Sequence, residues 1–111
     1  MRTIIGLVEP ITLFGVGGRR LTTYAKVDTG ATKSSIDSRL AAELRLGPVL
    51  KSKMVKSASG TRVRPVIKVG VILKGKEFAT QFTIADRQDM KYKVLIGLNI
   101  LKNHFIIDPK K

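Results

Sequence analysis

The chain has no cysteine, no tryptophan and a single histidine, and only 5% of its residues are aromatic. Without cysteine there is no disulfide and no thiolate metal site, and the absence fits a reducing compartment. One histidine, His104, cannot assemble the three or four ligands of an ordinary zinc centre, and no His-Glu-x-x-His is present. Near a predicted helix end, it is expected to cap or to lie on the surface. The same shortage leaves Ser34 and Ser35 without a recognisable nucleophile–base triad. No apolar run approaches the roughly 18 residues of a membrane span. The N-terminus also lacks the basic, apolar and small-residue succession of a secretory signal. The expectation is a cytoplasmic protein with no membrane partner. Gly15-Val16-Gly17-Gly18-Arg19-Arg20 is followed by a strand pattern and by no Gly-Lys-Ser/Thr, which excludes a phosphate loop and leaves a hairpin turn.

Acids are also scarce: 8 Asp plus Glu against 21 Lys plus Arg give a formal charge of +13. A field of that size attracts anions, whether nucleic acid, acidic peptide or membrane surface. Leu44 to Lys76 contains no acid at all, while Arg45, Lys51, Lys53, Lys56, Arg62, Arg64, Lys68, Lys74 and Lys76 are basic. A solvated basic surface accounts for such a run equally well. A basic nucleic-acid-binding barrel is the weaker alternative, because Phe14, Tyr24, Phe78, Phe82, Tyr92 and Phe105 form no base-stacking pattern.

With 111 residues, 43% of them apolar, the chain has material for one aliphatic core, and the expectation is a single domain over residues 1–111. Arg2 to Leu7 and Thr12 to Phe14 read as strands, and Leu21 to Val27 as a third. Ile36, Leu40 and Leu44 recur at helical spacing and predict a helix over residues 36–45, capped by Ser34 or Ser35 and stopped by Gly47-Pro48. Val49 to Val55 and Arg62 to Leu73 read as a hairpin whose tip is Ser57-Ala58-Ser59-Gly60-Thr61. Glu77 to Ala85 and Lys93 to Ile96 complete the strands. Many short strands between turns indicate an all-β barrel or sandwich.

The chemically legible stretch is Lys26-Val27-Asp28-Thr29-Gly30-Ala31-Thr32-Lys33-Ser34-Ser35, where an apolar strand runs into an acid, a hydroxyl and a glycine. A carboxylate at the end of a buried strand needs hydrogen-bond donors, a partner or a proton. Gly30 permits a turn in which backbone N–H groups approach it, and the Thr29 hydroxyl can bond to a neighbouring loop, with Ser34 and Ser35 extending the network. Asp-Thr-Gly by itself is equally an ordinary turn between a strand and the next element.

Val27-Asp28-Thr29-Gly30-Ala31-Thr32-Lys33-Ser34-Ser35 resembles the active-site loop of retropepsin-like aspartic proteases. Val94-Leu95-Ile96-Gly97-Leu98-Asn99-Ile100-Leu101 resembles their second signature, two apolar residues and a glycine opening a short helix. Asp86-Arg87-Gln88-Asp89-Met90-Lys91-Tyr92-Lys93, with Ile106-Ile107-Asp108, is similar to the prokaryotic branch often labelled ATP-dependent zinc protease, although no zinc or ATP motif accompanies it. The resemblance implies a retropepsin-like closed β-barrel with one or two short helices, one lobe per chain. It implies Asp28 as the catalytic residue, supported by Thr29, Gly30, Ala31 and Gly97. The hairpin with Ser57, Ser59, Gly60, Arg62 and Arg64 would be a substrate-binding flap. No cofactor and no metal are expected.

Such a protease places a water between two carboxylates that share a proton. This chain has one Asp-Thr-Gly, and Asp37, Asp86, Asp89 and Asp108 lack that context. The second carboxylate must therefore come from another copy, which makes the active form a homodimer. The basic flap suggests acidic peptides as substrates. Leu98 stands where viral relatives carry Arg, and Thr32 where they carry the acid that pairs with it. Both halves of that ion pair are missing together, which keeps a catalytically silent dimeric binding module as the alternative.

Overall fold

A computed structural model describes residues 2–58 and 60–111. Among these residues, nine strands and two α-helices are arranged around a closed barrel. In chain order the strands are β1 (Thr3–Ile5), β2 (Val8–Phe14), β3 (Arg20–Val27), β4 (Ser34–Asp37), β5 (Lys51–Ser57), β6 (Gly60–Leu73), β7 (Lys76–Ala85), β8 (Val94–Ile96) and β9 (Phe105–Ile107). Helix α1 spans Ser38–Glu43 and α2 spans Leu98–His104. Strand order β2-β3-β8-β4-β7-β6, with β6 returning to β2, closes six strands into a barrel. β5 hangs on the outer edge of β6 as the second arm of a hairpin. Closure removes the free edges from the barrel, leaving an open edge along the projecting hairpin.

The barrel interior follows from alternation along each strand. Ile11 and Leu13 from β2, Ala25 and Val27 from β3, Val69, Val71 and Leu73 from β6, Phe82 from β7 and Val94 and Ile96 from β8 point inward and are buried. Phe82 is the one fully buried aromatic among the described residues, so the core is aliphatic, as its composition implies. β6 is long because it serves three partners along its length. Its N-terminal half pairs with β5 and its last four residues pair with β2, while β7 runs beside it from Val66 to Leu73. Among the described residues no helix is long and apolar enough to cross a membrane.

Several strand ends shift by a few residues from the sequence reading, and two differences have a structural reason. β2 starts at Val8 rather than Thr12, so it contains Pro10. β2 has β6 on its second side only from Ile11 to Phe14, so Pro10 sits where the strand has a single neighbour and its missing N–H breaks no second ladder. The helix expected over residues 36–45 is shorter, because Ser34 to Asp37 form β4, buried at all four positions between β7 and β8. Ile36 therefore reaches the core from a strand and Leu40 and Leu44 from a helical turn, a sequence that imitates one helical stripe. The cap is Asp37, whose carboxylate accepts from the Arg39 N–H at 3.1 Å, rather than Ser34 or Ser35.

Among the described residues, one ion pair fastens the barrel end opposite the tip of the β5–β6 hairpin. Glu9 is buried, accepts from the Gly6 N–H at 2.6 Å and pairs with Lys74 at 3.3 Å. Beside them, β1 and β9 pair in parallel within the same chain, Ile4 against Ile106.

Candidate active site

Strand β3 delivers Asp28. The last residues of β3 pair in parallel with β8, Val27 against Ile96, and the Asp28 N–H continues that ladder to the Ile96 carbonyl at 2.9 Å. At Asp28 the chain then turns: Asp28 Oδ1 accepts from the Gly30 N–H at 2.8 Å, and the Ala31 N–H donates to the Asp28 carbonyl at 3.3 Å. The turn holds the carboxylate on the wall of an open cavity of about 440 Å³. A methyl group on Gly30 would stand 3.2 Å from Asp28 Oδ1, so a side chain there would crowd the carboxylate.

The two sequence signatures meet. Gly97 packs so closely on the first loop that a β-carbon would lie 2.6 Å from the Lys33 backbone and 2.9 Å from the Ala31 carbonyl. The Gly97 N–H donates to Ser34 Oγ at 3.0 Å, and Ser34 Oγ donates in turn to Asn99 Oδ1 at 2.9 Å. The Leu98 and Asn99 N–H groups, at the open first turn of α2, donate to the Ala31 and Thr32 carbonyls at 2.8 and 3.1 Å. Ser35 and Thr83 join hydroxyls at 3.1 Å behind the loop. The Asp28 loop is therefore held by uncharged donors and acceptors.

Around the carboxylate the cavity is cationic. Lys33, Lys53, Lys56, Arg64 and Arg87 line it, and Asp28 is the one acid among its lining residues. Burial, and then the charges of Lys51 and Lys53, lower the Lys33 pKa from its ordinary value, and its ammonium group donates to Gln81 Oε1. Burial and the nearby Arg64 likewise press on Arg87, while Asp28 and Asp37 oppose them. Asp37 is not a second cavity carboxylate. It is 3% exposed, and its two oxygens accept from the Arg87 and Arg39 N–H groups at 2.8 and 3.1 Å.

The flap residues separate. Lys53 pairs with Arg64 and Val55 with Arg62 across the β5–β6 hairpin, and Ser57 pairs with Gly60 at its tip, where Gly60 has φ 120°. Arg64 reaches the cavity lining, whereas Arg62 is exposed and outside it. Ser59 lies outside the described residues. Thr29 is exposed, and its hydroxyl has no hydrogen-bond partner among the described residues. Sequence reasoning missed Arg87 and Asn99 as site residues, although both lie within the stretches that carry the resemblance. No three His, Cys, Asp or Glu side chains gather into a metal-binding group among the described residues.

A closed six-stranded barrel with an Asp-Thr-Gly turn at its mouth and a hairpin beside it is a retropepsin-like fold. The chain belongs to the RimB-like family, described as the retropepsin-like aspartic endopeptidase RimB, through residues 39–111. That stretch begins beyond the Asp28 loop and includes Gly97 and Arg87.

Solved structures share the barrel. A Legionella pneumophila protein of unknown function matches over the whole of this chain and 96% of that one, with a TM-score of 0.68 and 21% identity. The EIAV protease in complex with an inhibitor matches over 86% of each chain, with a TM-score of 0.63 and 21% identity. The simian foamy virus protease matches over 83% of this chain and 88% of that one, with a TM-score of 0.57 and 14% identity. A curated relative from Parasynechococcus marenigrum, named a probable alpha-L-glutamate ligase, is 25% identical over 98% of this chain. This chain spans 28% of that relative's length.

Proposed function

We propose that the chain is one lobe of a homodimeric aspartic peptidase of the cytoplasm, with Asp28 of each copy facing the other across a twofold axis. The observation that carries this reading is the single carboxylate of the cavity: Asp28 is presented by a braced turn, and no other acid among the described residues lines the same space. Two such carboxylates share one proton, because like charges about 3 Å apart do not both ionise. The ionised one takes a proton from the bound water as its oxygen adds to the peptide carbonyl carbon, and the protonated one gives its proton to the carbonyl oxygen. Collapse of the resulting diol breaks the C–N bond, with a proton passing to the leaving nitrogen.

Surface chemistry supports a second copy at this edge. Leu7, whose carbonyl accepts from the Val27 N–H at 2.9 Å at the end of the strand that delivers Asp28, is 49% exposed, and the Thr29 hydroxyl has no partner among the described residues. The cationic cavity supports acidic peptides as substrates. The partial relative named a probable alpha-L-glutamate ligase, a name that denotes joining glutamate, adds support to that preference.

Sedimentation together with a peptide-library assay tests the reading. The expected result is a dimer that cleaves peptides, and an Asp28→Asn variant that remains a folded dimer without cleaving. A clean monomer at high concentration would sink it. A dimer that binds peptides and never cleaves them is the silent binding module, the reading favoured by the missing ion pair at Thr32 and Leu98.

A further inference from the structure

Of the five cations on the cavity, Arg87 is the one most firmly set by its surroundings. Its backbone N–H donates to Asp37 Oδ1 at 2.8 Å, and its Nε–H donates to the Tyr92 carbonyl at 3.0 Å. Lys93 closes the same turn from the other side: its ammonium group donates to the Arg87 and Met90 carbonyls at 3.1 Å each and to the Gln88 carbonyl. The Lys93 carbonyl accepts from the Asp37 N–H at 2.8 Å. With Nε occupied, the two terminal nitrogens of Arg87 make no ion pair with any described acid. Arg87 is part of the cavity lining that also carries Asp28 and Arg64.

A guanidinium anchored through Nε presents its remaining N–H groups as a fixed fork, the geometry that matches a carboxylate in two parallel hydrogen bonds. Two half-buried guanidiniums near enough to feel each other's charge repel. An anion between them relieves that repulsion. Resting on the peptidase reading above, we propose that Arg87, with Arg64, is the specificity-determining pair that receives a substrate side-chain carboxylate beside Asp28. Arg87 forms the fixed half of this subsite from the β7–β8 turn. Arg64 forms the half carried by the flap hairpin. Arg62, exposed and off the lining, is outside it.

The test uses two labelled peptides of equal length, one with Glu and one with Gln at the same positions, titrated against the full chain carrying Asp28→Asn and then cleaved by the wild type. The Glu peptide should bind about tenfold more tightly than the Gln peptide. Arg87→Gln should bring the two within about twofold, with Arg87→Lys intermediate because it restores charge without the fork. Arg64→Gln, on the hairpin and away from the braced turn, should lower the same ratio and carries the test if Arg87→Gln fails to fold. An unchanged Glu-to-Gln ratio in the folded variants would overturn the subsite while leaving the peptidase reading intact. Conversely, a ratio that falls as expected in a wild type without hydrolysis keeps the subsite and removes the peptidase. If a single-stranded RNA oligomer displaces the Glu peptide at equal concentration and with the same Arg87 dependence, the pair is a phosphate site and the carboxylate assignment fails.

Discussion

Asn99 Oδ1 accepts from both the backbone N–H and the hydroxyl of Ser34, at 2.8 and 2.9 Å, joining the start of α2 to the strand that follows the Asp28 loop. Its Nδ2 donates to the Gln81 carbonyl and the Thr80 hydroxyl at 2.7 and 3.1 Å, so one side chain ties β4, β7 and α2 together. An amide can do this because it accepts at one end and donates at the other. A carboxylate cannot donate and an ammonium cannot accept.

Asn99→Ala should therefore lower stability by about 1–3 kcal/mol for each buried group left without a partner, and peptide cleavage should fall with it. Asn99→Asp should cost nearly as much, because it removes both donors and adds a charge beside the Gln81 carbonyl. Thermal melts of the two variants decide: a wild-type melting temperature for Asn99→Ala would show that the network does not brace the loop.

Much of this was legible in the sequence, and what was missed has a common cause. The Asp28-Thr29-Gly30 turn and the Gly97 segment were readable because each compresses a strand, a turn and a close approach into a few adjacent residues. The strands of the β5–β6 hairpin were readable from their composition and from the small residues at the tip. Helix α1 is shorter than its sequence pattern because Ile36, Leu40 and Leu44 satisfy a helical period while sitting on two different elements. Arg87 and Asn99 were not legible as site residues because the contacts that bring them to the site reach remote positions. Tyr92 and Lys93 hold Arg87 locally, but Asp37, 50 positions away, joins its turn to the rest of the fold, and Ser34, 65 positions away, does the same for Asn99. No local pattern encodes contacts made only when β4, β7 and β8 come together.

Gly97 is required by space rather than by backbone angle, since its φ is −101°. A methyl group at this position meets carbonyl and backbone atoms at 2.6 Å, and backbone does not step aside as a side chain can. Gly97→Ala should cost about 1–3 kcal/mol and displace the Asp28 loop, lowering kcat more than it raises KM. Equal melting temperatures for Gly97→Ala and wild type would contradict the packing argument.

Thr29 tests the dimer from a different side. Thr29 is exposed, its hydroxyl has no partner among the described residues, and in the proposed dimer it is expected to be buried and bonded across the twofold axis. Thr29→Val should weaken dimerisation by roughly 1–3 kcal/mol, about a five- to hundredfold rise in the dissociation constant, because the partner group is orphaned. The monomer's fold should be unaffected. Sedimentation equilibrium measures this directly, and an identical dimer constant would remove Thr29 from the interface.

The last prediction concerns acid. Burial alone would raise the Asp37 pKa, but the N–H groups of Arg87, Arg39 and Leu40, with Lys93 nearby, together hold it below the usual carboxylate range. In the unfolded chain its pKa returns to about 3.9. A group whose pKa is depressed on folding contributes stability that is present above the unfolded value and lost as pH falls through the folded one. At neutral pH, Asp37→Ala should cost about 0.5–2 kcal/mol for the helix cap alone, with a further loss from the freed Arg87 N–H. The difference between wild type and Asp37→Ala should shrink as the pH drops below about 4. Because Asp37 also anchors the turn that carries Arg87, the preference for Glu over Gln peptides should weaken in the variant at neutral pH. Melting curves of both proteins from pH 7 to pH 2 check the sign: a gap that widens in acid would show that Asp37 is not held ionised by these donors.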